Sequence, residues 1–135
     1  MSIEIDHLGI AVRSIEEGLR FYEQSLGMKV SHRETVLGER VNVAMLPAGD
    51  PSYGSRIELL EPTDDDSTIA RFLAKRGPGL HHIALRVDDL EETIGRLKTD
   101  GQRLLNEPRT GAGGHTYVFV HPASSGGVLL ELIQK

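Results

Sequence analysis

His7-Leu-Gly-Ile-Ala-Val12, followed by Ile15-Glu-Glu17, recurs as His82-Ile-Ala-Leu-Arg-Val87, followed by Leu90-Glu-Glu92. The offset is constant at 75, from residue 7 to residue 82. Towards the end of each half, Ile57-Glu-Leu59 is matched by Leu130-Glu-Leu132 at an offset of 73. A repeat of this length means one supersecondary unit used twice, and it fixes the architecture before any single element is assigned. Each half is too small to hold a stable core alone, so the two are expected to pair over a shared one.

Working outward from the first repeat, Ile3 to Val12 alternates and carries β-branched residues, which predicts a strand. Ser14 can cap a helix that runs to about Leu26 and stops at Gly27, with Ile15, Leu19, Tyr22 and Leu26 as its apolar face. Strands are expected at about 28–36, 40–47 and 54–61, broken by Leu37-Gly38 and by Pro47-Ala-Gly-Asp-Pro51. Pro62 to Asp66 reads as a turn. Ser67 or Asp66 then caps a short helix from Thr68 to Lys75, ending at Arg76-Gly-Pro-Gly79. The second half repeats the order. His81 to Val87 is a strand, and Asp88 or Asp89 caps a helix ending near Gly101. Strands follow at 102–106, 115–121 and 127–134. The fold class is therefore α+β, two tandem β-α-β-β-β modules in one domain over 1–135: module 1 at about 3–61, a connector helix at about 62–79, and module 2 at about 80–135.

Bulk composition narrows the function. The 135 residues carry 39% hydrophobic residues but only 4% aromatics and no Trp, so the core is mainly aliphatic. The net charge of -5 leaves no basic footprint for nucleic acid. The absence of cysteine excludes disulfide scaffolds, thiolate zinc sites and cysteine nucleophiles, and fits a reducing cytoplasm. The N-terminus, Met1-Ser-Ile-Glu-Ile-Asp-His-Leu-Gly-Ile10, lacks the basic flank and apolar run of a signal peptide, and no stretch is long enough for a membrane helix.

Chemistry concentrates at the repeat. Each half supplies one His on its first strand, His7 and His82, and one Glu on its last, Glu58 and Glu131. Two imidazoles and two carboxylates without sulfur suit an octahedral divalent ion such as Co²⁺, Mn²⁺, Ni²⁺, Fe²⁺ or Zn²⁺, with two positions left for water or substrate. A lone Glu in an apolar run can simply face water. Recurrence of the same His and Glu at matched places is what points to a shared metal. His81 is expected to face away from His82, since strand neighbours alternate. His32, His115 and His121 have no repeat partner. Gly111-Ala-Gly-Gly114 lacks the Lys-Ser/Thr of a P-loop and precedes a strand, so it is read as a rim.

These residues resemble the vicinal oxygen chelate superfamily, which includes glyoxalase I, extradiol dioxygenases and methylmalonyl-CoA epimerases. Over nearly the whole chain the likeness is to the epimerases. It is carried by Ile5-Asp-His-Leu-Gly-Ile10, Glu58-Leu-Leu-Glu-Pro62, Gly79-Leu-His-His-Ile-Ala84, His121-Pro122 with Gly127-Val-Leu-Leu-Glu131, and the connector Ser67 to Lys75. The resemblance implies a paired, cupped mixed β-sheet. It places the metal ligands on His7, Glu58, His82 and Glu131, holding one divalent ion per chain, with Co²⁺ the first expectation. It further implies an acyl-CoA thioester substrate and a homodimer, while the charge balance and the lack of a membrane-length apolar run lead us to expect no nucleic-acid or membrane partner.

The implied activity is interconversion of (2R)- and (2S)-methylmalonyl-CoA by proton transfer at C2 through a metal-stabilised enolate, with Glu131 as one base. Some epimerases have Gln where Glu58 stands, whereas glyoxalase I tends to have Glu. A glyoxalase I-like lyase or isomerase is thus an alternative, and a metal-free binding protein of the same fold is another. In some relatives a second Glu opposes Glu131; here the aligned residue is Val43 in Arg40-Val-Asn-Val-Ala-Met45. Glu34, Glu39, a water or another group must then complete proton transfer. Lys75, Arg76, Arg71 and Arg109 are cations that a CoA tail could meet, with surface charge as their default reading.

Overall fold

The repeated sequence folds into repeated elements. In a computed structural model that describes residues 2–50 and 54–135, the chain forms two compact units. One is His7–His81; the other is His82–Lys135 with the N-terminal residues up to Asp6. The element order is β1 (Ile3–Ala11), α1 (Ile15–Leu19), β2 (His32–Val36), β3 (Val41–Ala48), β4 (Ser55–Pro62), α2 (Thr68–Arg76), β5 (Gly79–Val87), α3 (Leu90–Thr99), β6 (Arg109–Thr110), β7 (Thr116–Val120) and β8 (Leu130–Gln134). This is the predicted β-α-β-β-β order, twice, with a helix between. Strands run β2-β3-β4-β1 in the first unit and β5-β8-β7-β6 in the second. The outer strand pairs are antiparallel, whereas β1 is parallel to β4 and β5 is parallel to β8. Each first strand therefore lies beside the last long strand of its own module, which is what a shared His–Glu site requires. Pro51, the end of the expected Pro47–Pro51 break, lies outside the described residues.

Helices α1 and α3 each cover one face of their own unit's sheet. Val12, Ile15, Leu19, Ala44, Leu46 and Leu59 form the first core; Val87, Leu90, Ile94, Val118, Val120 and Leu132 form the second. Strand alternation assigns these residues to the helix face and leaves His7, Glu58 and Met45, or His82, Glu131 and Phe119, on the other. The caps are Ser14, Ser67 and Asp89, whose side chains accept from Glu17, Ala70 and Glu92 N–H groups.

Three local expectations are corrected. The first helix passes into a π-helix over Arg20–Ser25. Leu26 N–H donates to the Phe21 carbonyl, and Met28 N–H reaches back to Tyr22. These wider turns occupy the amides after the helix, so β2 begins at His32 rather than at residue 28. The strand expected at 102–106 reduces to a single bridge, Leu104 to Val120. There Asn106 Oδ1, not a backbone carbonyl, accepts the Phe119 N–H at 2.9 Å, and Pro108 has no N–H to extend a ladder. Pairing resumes only at β6.

The N-terminal segment is held by ions within the second unit. Arg86 donates to Asp6 Oδ1 at 2.9 Å and to Glu4 Oε2 at 3.3 Å; Lys135 lies 2.6 Å from Glu4 and 3.3 Å from Asp88. The hydrogen bond from Lys135 is the main reason the Glu4 carboxyl is held below its ordinary range. Asp88 is lowered first by the Ser2 N–H and then by Lys135. The same contacts, led by Glu4, raise Lys135.

Candidate active site

In each unit a buried imidazole meets a buried carboxylate across two parallel neighbours. On β1 and β4, His7 Nε2 lies 3.3 Å from Glu58 Oε1. On β5 and β8, His82 Nε2 lies 3.0 Å from Glu131 Oε2. All four side chains are buried, although solvent reaches Glu131 (side chain 12% exposed) more readily than Glu58 (6%). Burying a carboxylate is costly unless a charge or donors compensate it. Placing one in each unit, each against an imidazole and on the face away from the helix, is costly for folding alone. Of these residues, His7, Glu58 and His82 form a group that could hold a metal ion.

Register explains how both pairs arise from one pattern. Gly9 is the Cα partner of Glu58, so His7, two residues earlier, shares its face. Ala84 is the partner of Glu131, so His82 does the same. Small residues, Gly9 and Ala84, stand beside the carboxylates. The next strand contributes Met45 opposite Glu58 and Phe119 opposite Glu131. Phe119 stacks edge-to-face on His82, with centroids 5.7 Å apart, and on Tyr117 at 5.5 Å. Phe119 thus packs between the His82 imidazole and the Tyr117 ring.

The remaining histidines separate cleanly. His81 packs its ring on Phe72 of α2 at 5.0 Å, as expected for a neighbour of His82 that faces the other way. His121 Nδ1 accepts the Ala123 N–H and closes a turn. His115 adjoins the glycine-rich rim, close to where a Cβ on Gly113 would sit. His32 is different: its Nε2–H donates to Glu34 Oε1 at 2.8 Å on the site face of β2. Among the cations considered for a CoA tail, Arg71 donates to the Asp66 carbonyl and Arg76 lies over Phe72. Lys75 and Arg109 are exposed.

A second matched pair was not anticipated from the sequence. Glu61 Oε1 accepts the Ile15 N–H at the start of α1, and Gln134 Oε1 accepts the Leu90 N–H at the start of α3. Each lies three residues beyond the site Glu of its strand, on the opposite face. The last strand of a module thus holds its carboxylate on one side and anchors the helix on the other. The same offset, 73, could have revealed this had Gln been treated as equivalent to Glu.

The family model described as glyoxalase/bleomycin resistance protein/dioxygenase superfamily matches residues 6–119. An uncharacterized protein of Bacillus subtilis is 42% identical, over 96% of this chain and 91% of that one. The ethylmalonyl-CoA/methylmalonyl-CoA epimerase of Cereibacter sphaeroides is 35% identical over 96% of both. A solved structure of methylmalonyl-CoA epimerase in complex with methylmalonyl-CoA and NH4+ superposes with a TM-score of 0.93 at 38% identity, covering 100% of this chain and 96% of that one. On these grounds the chain belongs to the glyoxalase/bleomycin resistance protein/dioxygenase superfamily, on its methylmalonyl-CoA epimerase branch.

Proposed function

We propose that this protein is a metal-dependent epimerase that interconverts (2R)- and (2S)-methylmalonyl-CoA. In this reading His7, Glu58, His82 and Glu131 together hold one divalent ion per chain, and Glu131 also moves the C2 proton. The observation that carries it is the duplicated buried His–Glu pair, one in each unit, at 3.3 and 3.0 Å, in a chain whose relatives include named epimerases. The donor set, two imidazole nitrogens and two carboxylates, suits a divalent ion such as Co²⁺, Mn²⁺, Ni²⁺, Fe²⁺ or Zn²⁺, and Co²⁺ is put first on family analogy alone.

A divalent ion held there would supply Lewis-acid stabilisation for the negative charge that develops on the thioester oxygen. The protein's own groups supply orientation and proton transfer. Glu131, the more accessible carboxylate, takes the proton from C2, which the adjacent thioester acidifies. His82 stays against Glu131, with Phe119 packed on its ring. Glu58, deeper and paired with His7, has a holding role only. A homodimer in the cytoplasm completes the reading, on family analogy.

The test is deuterium wash-in at C2 of methylmalonyl-CoA in D₂O by the Co²⁺-loaded protein. Exchange with inversion is expected, and no exchange with this substrate contradicts the proposal. One observation favours a glyoxalase I-like activity instead, namely Glu58 where some epimerases carry Gln. Turnover of a thiol hemithioacetal faster than methylmalonyl-CoA would establish that second reading.

A further inference from the structure

Epimerisation needs a proton donor on the face of C2 opposite the base, and Val43 cannot be one. The neighbouring strand offers a replacement. In the β2–β3 ladder Glu34 is the direct partner of Val43, His32 of Met45 and Val36 of Val41. In the β3–β4 ladder Val43 faces Leu60, and Met45 faces Glu58. Directly opposed residues share a sheet face, so one row runs Glu58–Met45–His32 and the next runs Leu60–Val43–Glu34. Glu34 and His32 therefore project from the face that bears Glu58. The Cβ atoms of an opposed pair lie about 5 Å apart, so the Glu34 carboxylate starts one strand from the position that Val43 vacates.

The side chain is prepared for proton traffic. Val43 and Met45, the β3 partners of Glu34 and His32, are buried. Glu34 is 30% exposed; His32 is 50% exposed and holds its Oε1 at 2.8 Å. The imidazole thus fixes one carboxylate oxygen from the solvent side. Glu39 does not compete, because it lies in the 3₁₀ turn Leu37–Glu39, off the ladder. Arg40, the only non-glycine with positive φ among the described residues, follows that turn at φ 56. The hairpin's register, and with it the Glu34–Val43 opposition, is set there.

We propose that Glu34 is the second catalytic acid/base of the reaction, with His32 as its positioning residue. The inference rests on the epimerase reading above. In one direction the C2–H bond breaks, its proton forms an O–H bond on Glu131, and the electron pair moves into the enolate. The protonated Glu34 then gives its proton to the opposite face of C2, the enolate pair forming the new C–H bond. Glu34 regains a proton from solvent, and Glu131 returns one to it. The reverse direction exchanges the roles.

Each epimer of methylmalonyl-CoA is incubated separately with Co²⁺-loaded enzyme in D₂O, and C2 exchange and inversion are followed independently. For Glu34→Gln, inversion is expected to fall by about 100-fold or more, while the epimer deprotonated by Glu131 still exchanges its C2 proton with retention. His32→Gln should lower kcat by roughly 10-fold with KM unchanged, and Glu39→Gln should leave both rates alone. Folding is checked by melting temperature, and β2 is an outer strand of its unit, where these substitutions are mild. Inversion by Glu34→Gln within about threefold of wild type overturns the proposal. So does loss of exchange for both epimers in a folded variant, because the Glu131 half-reaction does not involve Glu34. A His32→Gln effect confined to KM overturns the positioning role. Absence of exchange in the wild-type enzyme defeats the epimerase reading itself, a result distinct from all of these.

Discussion

Glu58 and Glu131 occupy matched places in the two halves, but their surroundings differ. Glu58 sits beside Gly9 and Met45, more deeply covered; Glu131 sits beside Ala84 and Phe119, more open to solvent. In the proposed reaction this difference assigns Glu58 to holding the ion and Glu131 to moving the proton. Glu131→Gln is expected to lower C2 exchange by about 100-fold or more, with the melting temperature of the metal-free protein nearly unchanged, since Gln keeps the shape. Glu58→Gln should retain measurable exchange but weaken metal binding by about 10-fold or more, as read by titration of Co²⁺ absorbance. Equal loss of exchange in both variants at saturating metal would remove the distinction.

At the scale of the element, each last strand anchors its own helix. Glu61 and Gln134 accept the first amides of α1 and α3. Glu61→Ala and Gln134→Ala should each cost about 1 kcal/mol of stability, the usual worth of an N-terminal cap, measurable by urea unfolding. The ionic clasp around Lys135 gives a pH signature. Glu4 and Asp88 are held below their ordinary range, so their contribution is present above the unfolded carboxylate values and is lost as pH falls through the lowered folded values. Lys135 is raised, so its contribution is present below the ordinary lysine value and is lost as pH rises through the raised one. The melting-temperature difference between wild type and Lys135→Met should therefore hold steady from about pH 5 to 9, and close below about pH 4 and above about pH 11. All three groups are exposed, so 1 M salt should shrink the difference at every pH.

At the scale of the whole molecule, the repeat carried most of what could be read in advance. The offset of 75 located His7 and His82, and the offset of 73 located Glu58 and Glu131. The structure then brings His7 to Glu58 and His82 to Glu131. Capping residues were legible because a polar side chain before an apolar period has one local use. Register was not, because it depends on which strands are neighbours. The row containing Val43 and Glu34 exists only once β2, β3 and β4 are aligned, and His32 carried no repeat signal. The π-turns after Leu19 and the loss of the strand at 102–106 follow from individual amide partners, Tyr22 for Met28 and Asn106 for Phe119, which periodicity does not encode.

The central claim is that the two repeated pairs serve one metal centre. Metal content per chain after Co²⁺ loading and removal of free ion, measured by elemental analysis for wild type, His7→Ala and His82→Ala, tests it most directly. One ion per wild-type chain, and loss of that ion when either histidine is removed, is the predicted result. A wild-type chain that retains no stoichiometric metal, or one whose metal survives removal of either histidine, would contradict the account.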